Sequence, residues 1–334
     1  MKFELRNPKS ENRVRSSGNA AFRTPCFEFR ISCFGFLLLL LAAGCATTAS
    51  TTAARLDSAV ASAEARCKCR MGVSARHLES GLTYEHNAQA EFESASVIKI
   101  AVLTEAMAEV RDGRVDLTER WDLTAEKKAD GSGALLLLDA GLNPTWNDLA
   151  TLMIGPSDNT AANAWIVRLG VDTINARMTS LGYEHIRLFG TIPWLTQKNE
   201  EPSPWKGFRL GTLNPHEVAD WMARVARGEL LDADSSKRIF EYLDKDPSRM
   251  RIARRFPSSF LWAGKTGSMS GVRNDSGILR TKKGRFVLVV FTDQSRAEGF
   301  SSADHPSVLA IADVSKAIVD AWSAELPDLL EKPE

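Results

Sequence analysis

The segment Ser96-Val97-Ile98-Lys99 stands where a polar loop gives way to apolar residues at helical spacing, from Val97 to Val110. At the start of a helix, the hydroxyl of Ser96 would lie near the positive end of the helix dipole, with Lys99 one turn further on the same face. A hydroxyl becomes a good nucleophile only when a nearby base accepts its proton. The segment therefore predicts a nucleophilic serine with a lysine as its base, at the first helix of a long helical block.

Two further short motifs follow in the chain, Ser157-Asp158-Asn159 and Lys265-Thr266-Gly267. Each motif is weak alone, because Ser203-Pro204-Trp205-Lys206 also fits the first pattern and Ser10-Glu11-Asn12 fits the second. The prolines beside Ser203 exclude a helix that could present its serine and lysine as neighbours. Context therefore selects Ser96.

Lys99 can accept a proton at neutral pH only if it is uncharged. Burial or a neighbouring cation would lower its pKa, and Lys265 of the third motif is the natural candidate for that cation. That Lys265 lies close to Lys99 is a hypothesis, because the sequence by itself does not show this proximity.

Strand patterns occur at both ends of the folded region and enclose the helical block, which extends over about residues 95–255. This arrangement predicts an α+β fold, with one antiparallel five-stranded sheet flanked by helices and an all-helical lobe beside it. A last helix should begin near Pro306 and cover one face of the sheet. The five predicted strands are Met71–Arg76, Leu82–His86, Ser259–Thr266, Arg273–Leu279 and Phe286–Thr292.

The N-terminal region is typical of an export signal, with a basic stretch followed by the apolar run Phe34–Ala43. Its ending, Leu41-Ala42-Ala43-Gly44-Cys45, resembles a bacterial lipobox, which implies a lipid on Cys45. Residues 1–45 are predicted to form a lipoprotein signal, 46–56 a tether and 57–334 the folded domain. Because Ala46 follows the cysteine, we expect a periplasmic lipoprotein at the outer membrane.

The composition of the chain argues against nucleic acid as a partner and against a bound metal. Lys+Arg and Asp+Glu number 42 each, so no basic surplus exists to bind nucleic acid. Cys67 and Cys69 are expected to be two small unpaired residues on a strand, because a bridge between such near neighbours would be strained. No second pair of Cys or His at ligand spacing completes a zinc site, so we predict no metal and no cofactor. The protein is expected to be a monomer.

The surroundings of the motifs resemble the class A serine β-lactamase family, whose signatures are S-x-x-K, S-D-N and K-T-G. The resemblance covers about residue 57 to the C-terminus and includes three flanking segments. These segments are Asp130-Gly131-Ser132-Gly133, Gly141-Leu142 and the run from Asn147 through Ile154 into Ser157–Asn163.

The resemblance implies a covalent mechanism in which Ser96 is acylated, Lys99 accepts its proton and Ser157 relays the proton to the leaving nitrogen. The substrate would be a β-lactam or a D-Ala-D-Ala-type peptide. The backbone N–H groups of Ser96 and Ser268 would form the oxyanion hole.

Substrate binding is implied for a second group of residues. Asn159 would bind the substrate amide and orient Lys99, Lys265 and Thr266 would hold the substrate carboxylate, and Gly267 would keep the strand bare. Arg273 either shares the carboxylate or is a solvated turn arginine, and the sequence leaves both open. Asp158 is interpreted as a helix cap.

One position departs from the family. Where many class A enzymes carry a glutamate that activates the deacylating water, the register of Arg187 and Pro193 places Ile192, with Thr196 at the following asparagine position. An isoleucine cannot polarise water, and Glu200 and Glu201 lie too far along the chain unless the loop folds differently. The hypothesis is that acylation is intact, whereas deacylation is slow or uses another group.

Three functions remain open at this point: a β-lactamase with a substitute base, a D-Ala-D-Ala carboxypeptidase of the cell wall, and a sensor that is acylated without turnover. A Ser-His-Asp hydrolase is disfavoured, because the sequence has no Gly-x-Ser-x-Gly elbow.

Overall fold

The computed structural model describes residues 51–193, 209–246, 248–297, 299 and 302–329. The signal 1–45 with Cys45, tether residues 46–50, Thr196, Ser203–Lys206, Glu200 and Glu201 lie outside the described residues. Within the described part of the chain, no helix combines the length and apolar character that a membrane crossing needs.

Five strands form the main sheet, in the order β2-β1-β8-β7-β6 and antiparallel throughout. The two ends of the chain therefore build one sheet, as predicted. The long strands β7 and β8 are buried along nearly their whole length, since helices pack on the sheet. The strands are β1 (Arg70–His77), β2 (Thr83–His86), β6 (Leu261–Met269), β7 (Val272–Thr281) and β8 (Gly284–Asp293).

Two helices from opposite ends of the chain cover one face of the sheet. Helix α1 occupies residues 51–67 and α8 occupies Pro306–Ser323, and both contribute to a core with Leu288 and Val290. The final helix begins at Pro306 as predicted. Residues 51–56 of the predicted tether are therefore helical and belong to α1.

The helical lobe surrounds α2, whose residues Lys99 to Ala108 are all buried. Trp146 and Trp165 pack with ring centroids 4.6 Å apart, which joins α3 to α4. Its helices are α2 (Lys99–Arg111), α3 (Trp146–Ile154), α4 (Asn159–Leu169), α5 (Val171–Ser180), α6 (Pro215–Arg227) and α7 (Ala233–Leu243).

The lobe also contains elements that the sequence did not reveal. Helix α7 is capped by Asp232, whose carboxylate accepts from Ser235 N. A three-stranded sheet of order β3-β5-β4 links the segments around the lobe, and strands this short show no alternation that could be recognised. They are β3 (Phe92–Glu93), β4 (Arg187–Leu188) and β5 (Gly211–Leu213).

The prediction for the cysteines was wrong, because Cys67 and Cys69 form a disulfide. They do not lie on one strand: Cys67 ends α1 and Cys69 precedes β1. Lys68 between them has φ +49°, in the left-handed region, and the resulting turn brings the two sulfurs together. Both cysteines are buried in the core beneath α1.

Close packing between β6 and β7 gives a test of the sheet. Gly277 lies opposite Gly264, and a Cβ at Gly277 would stand 2.7 Å from the Gly264 Cα and from the Trp262 ring. We expect Gly277→Ala to lower the free energy of unfolding by about 2 kcal/mol, because the strands would have to separate. Urea denaturation of the purified protein measures this change. Gly190→Ala is the control, since no heavy atom of the described residues lies within 4 Å of its added Cβ. Equal stability of the two variants would contradict the packing described.

Candidate active site

Lys99 brings the first two motifs together. It is the first residue of α2 and only 1% exposed. Its Nζ lies 2.6 Å from the Ser157 carbonyl oxygen, 2.8 Å from Asn159 Oδ1 and 3.2 Å from Ser157 Oγ. The predicted base therefore contacts Ser157 and Asn159 of the second motif.

The surroundings of Lys99 favour its neutral amine. Burial is the main cause that lowers the pKa of Lys99 well below its ordinary value, and the charge of Lys265 lowers it further, against an opposing effect of Asp158. A neutral amine has two N–H donors and one lone pair. It can donate to the Ser157 carbonyl and Asn159 Oδ1 and still accept a proton from a hydroxyl group.

Ser96 is partly exposed and lies in a 3-10 turn, Ala95–Ile98, that directly precedes α2. The expectation that Ser96 opens the α-helix itself is therefore corrected: the tighter turn comes first, as is common at helix N-termini. Ala95 has φ +43°, an unusual value for a residue with a side chain. A Cβ added at Gly267 would stand 3.1 Å from Ser96 N, so strand β6 passes close to the Ser96 backbone.

The second motif is a strained turn fixed by its neighbours. Ser157 has φ +59°, and Asp158 caps α4 by accepting from Ala161 N at 2.9 Å, which confirms its predicted structural role. The other Asp158 oxygen accepts from Leu135 N at 2.8 Å. Asn159 Nδ2 donates to the Asp130 carbonyl at 2.6 Å. Both ends of the turn are thus bound to the loop that begins at Asp130.

Lys265 on β6 is completely buried but retains more positive character than Lys99. Burial lowers its pKa to about 8, Asp246 opposes this decrease, and Arg251 adds to it. Its Nζ donates to the Thr266 carbonyl at 3.1 Å. The Thr266 and Ser268 side chains are partly exposed, so this edge of β6 is open to a ligand.

Two arginines lie near the third motif, and only one of them was predicted. The Arg251 guanidinium donates to the Gly267 carbonyl at 2.8 Å, to Ser268 Oγ at 2.5 Å and to the Asn274 carbonyl. Arg273 is 3% exposed and donates to the carbonyls of its own hairpin, including Val272 at 2.7 Å. Arg273 is therefore not a solvated turn arginine, and that interpretation was wrong.

The backbone of Ile192 is hydrogen-bonded to Asn163, and its side chain is buried. Its N–H donates to Asn163 Oδ1 and its carbonyl accepts from Asn163 Nδ2, both at 2.8 Å. The side chain is 8% exposed and belongs to the core of the helical lobe. The adjacent Pro193 carbonyl accepts from Asp130 N at 3.1 Å, which connects this segment to the loop beside the second motif.

Sequence reasoning missed three polar residues of the site. Arg251 and Asp246 carry no motif and lie in a connection between helix and strand, so nothing in the local pattern distinguishes them. Asp246 accepts from Thr266 N at 3.4 Å. The Ser132 hydroxyl donates to the Ser157 carbonyl at 2.7 Å. Ser132 belongs to a segment that resembles the family, but no role was predicted for it, although its two flanking glycines indicate a close backbone approach.

A buried lysine that contacts a serine turn, together with a second buried lysine on the strand that passes close to Ser96, is typical of a serine hydrolase site on an α+β fold. The family model described as the Beta-lactamase enzyme family matches residues 54–322. A β-lactamase from Streptomyces fradiae is 28% identical over 289 residues, which cover 84% of this chain and 91% of that protein.

Solved structures agree. The β-lactamase from Sphaerobacter thermophilus superposes with a TM-score of 0.72 at 31% identity, covering 82% of this chain and 98% of that one. A structure of PBP-A gives a TM-score of 0.67 at 23% identity, covering 81% and 96%, and supports the fold alone. The chain belongs to the beta-lactamase enzyme family and is a serine hydrolase of the class A type.

Proposed function

We propose that this protein opens the amide bond of β-lactams through a covalent acyl-enzyme on Ser96. The observation that carries this proposal is the buried Lys99 amine, held by Ser157 and Asn159 in a form able to accept a proton. The partly exposed Ser96 lies three residues before Lys99, in the 3-10 turn Ala95–Ile98 that directly precedes α2.

The proposed step balances without any cofactor. The Ser96 Oγ attacks the β-lactam carbonyl carbon as Lys99 Nζ takes its proton, and the C–N bond breaks in the tetrahedral intermediate. Ser157 then passes a proton from Lys99 to the leaving nitrogen. The backbone N–H groups of Ser96 and Ser268 stabilise the oxyanion, which the close approach of Gly267 to Ser96 N supports.

Substrate binding is proposed on the exposed edge of β6. Lys265 supplies positive charge beneath this edge, and the Thr266 hydroxyl lies at its surface, so together they hold a carboxylate. Gly267 allows β6 to pass close to the Ser96 backbone, since a Cβ there would stand 3.1 Å from Ser96 N. Asn159 binds the side-chain amide of the substrate. The Arg273 guanidinium donates to carbonyls of its own hairpin. It would bind the substrate carboxylate only after a change of its side-chain conformation.

Ile192 supports slow release of the acyl group. In the proposed register it replaces the water-activating glutamate, and no hydrolytic water can be polarised by its buried hydrocarbon side chain. A leucine-to-glutamate variant of PBP-A has been solved as an acyl-enzyme complex with penicillin G, so that related fold forms the intermediate proposed here.

Ile192 also favours a second candidate function, that of a D-Ala-D-Ala carboxypeptidase of the cell wall. Such an enzyme uses the same nucleophile, base and carboxylate site, since a β-lactam resembles its peptide substrate. The discriminating result is covalent labelling by penicillin together with release of D-alanine from a pentapeptide and no turnover of nitrocefin.

We further propose that the mature protein is a periplasmic lipoprotein bound through Cys45 to the outer membrane. The apolar run and the lipobox-like ending support this proposal. Cys45→Ala should abolish incorporation of radiolabelled palmitate and move the protein from the membrane to the soluble fraction. Palmitate labelling of that variant would exclude Cys45 as the lipid site.

The acylation proposal predicts that fluorescent penicillin labels the wild-type protein and that Ser96→Ala abolishes the label. After a short pulse, intact-mass measurement should show the adduct persisting for many minutes. Labelling that survives in Ser96→Ala would exclude this nucleophile. Turnover at ordinary β-lactamase rates would instead exclude slow deacylation and leave the nucleophile intact.

The deacylation proposal predicts that Ile192→Glu shortens the lifetime of the adduct by at least about tenfold, because a carboxylate at this position can activate water. Ile192→Gln is the matched control: it has a similar shape but no basic group. Decay of the adduct mass over time provides the measurement. Equal lifetimes in the two variants would show that residue 192 does not face the hydrolytic water.

A further inference from the structure

We propose that Ser132 is a positioning residue for Lys99. The Ser132 hydroxyl donates to the Ser157 carbonyl oxygen and so makes that oxygen a weaker acceptor for the Lys99 ammonium group. This inference concerns a residue outside the three motifs. It rests on the proposed role of Lys99 as the base, but its test does not require the enzyme to turn over.

The contacts of Ser132 and Lys99 coincide. The Ser132 hydroxyl donates to the Ser157 carbonyl at 2.7 Å and lies 3.3 Å from Asn159 Oδ1. Lys99 Nζ donates to these same two oxygens, at 2.6 and 2.8 Å. One serine hydroxyl from another loop therefore lies within 3.3 Å of two of the three oxygens that Lys99 contacts.

The backbone of Ser132 binds the same turn from its other end. The Ser132 carbonyl accepts from Asn159 N at 2.8 Å, while the hydroxyl holds the carbonyl of Ser157 two residues earlier. Ser157 has φ +59°, a conformation that persists in residues other than glycine only when neighbours fix it. Ser132 therefore helps fix the carbonyl to which Lys99 donates.

The glycines on either side of Ser132 make this approach possible. Gly131 and Gly133 have φ +92° and +128°. A Cβ at Gly131 would stand 2.8 Å from Asn159 Nδ2, and one at Gly133 would overlap the Asp158 side chain. The sequence Gly-Ser-Gly is thus what allows a hydroxyl to reach the turn at hydrogen-bond distance.

The electrostatic consequence follows from competition between donors. An ammonium group gains more from a carbonyl acceptor than a neutral amine does. A second donor on the same oxygen reduces its remaining acceptor strength, so the hydroxyl favours the neutral amine. The other charged groups that act on Lys99 are Lys265 from β6, which favours the same state, and Asp158 at the start of α4, which opposes it.

The experiment measures the ionisation of Lys99 directly in the full chain. Lysine labelled with ¹³C at Cε reports its protonation by NMR, and the resonance absent from Lys99→Arg assigns Lys99. In Ser132→Ala we expect its titration midpoint to rise by about half a unit, which corresponds to about threefold tighter proton binding. Ser132→Thr keeps the hydroxyl and should restore the wild-type midpoint.

Ser180→Ala is the matched control, because the Ser180 hydroxyl also donates to a backbone carbonyl at 2.7 Å but lies at the end of α5. It should leave the Lys99 midpoint unchanged. A midpoint in Ser132→Ala that is unchanged or lowered, in a variant with wild-type thermal stability, overturns the inference. If Ser132→Ala is less stable, failure of Ser132→Thr to restore the midpoint overturns it as well.

The rate of acylation by nitrocefin gives a second readout. In Ser132→Ala, the acidic limb of the pH profile of this rate should move to higher pH by the same half unit. A purely structural role would instead lower the rate equally at all pH values. Absence of any acylation in the wild-type protein would refute the proposed function, and the NMR titration would still decide the role of Ser132.

Discussion

The removal of the Lys99 amine from water is the constraint on which the site depends. Placing a charged ammonium group in this position would be costly, and the cost decreases when the group is neutral. The amine therefore needs acceptors for its remaining N–H groups. Ser157 and Asn159 supply them only because the turn between α3 and α4 takes an uncommon backbone conformation, which α4 and the loop beginning at Asp130 together maintain.

The two buried lysines differ because their surroundings differ. Lys265 lies near Asp246, a buried carboxylate whose charge favours the ammonium form. The nearest carboxylate acting on Lys99 is Asp158, but both Asp158 oxygens already accept backbone N–H groups. Since two neighbouring ammonium groups repel each other, the proton resides preferentially on Lys265. One fold thereby provides a neutral amine and a cation from the same residue type.

The sequence predicted the elements whose patterns are local. The predicted strands of the main sheet and the helices with apolar spacing were confirmed, because their patterns lie within single segments of the chain. Arg251 could not be found in this way, because its role depends on contact with β6, which lies more than ten residues further along the chain. The disulfide was missed for a related reason: the left-handed turn at Lys68 overrides the strand pattern expected for Cys67 and Cys69.

Ile192 shows how stability and turnover can oppose each other at one position. Its side chain contributes to the core of the helical lobe, and complete burial of such a side chain stabilises a protein by about 2 kcal/mol. A glutamate there would lose this contribution and would require solvation of its carboxylate. Asn163 binds the backbone N–H and C=O of residue 192, and these two hydrogen bonds do not involve the side chain. In the proposed register, position 192 corresponds to the hydrolytic glutamate of the family, and the isoleucine that occupies it favours packing over the activation of water.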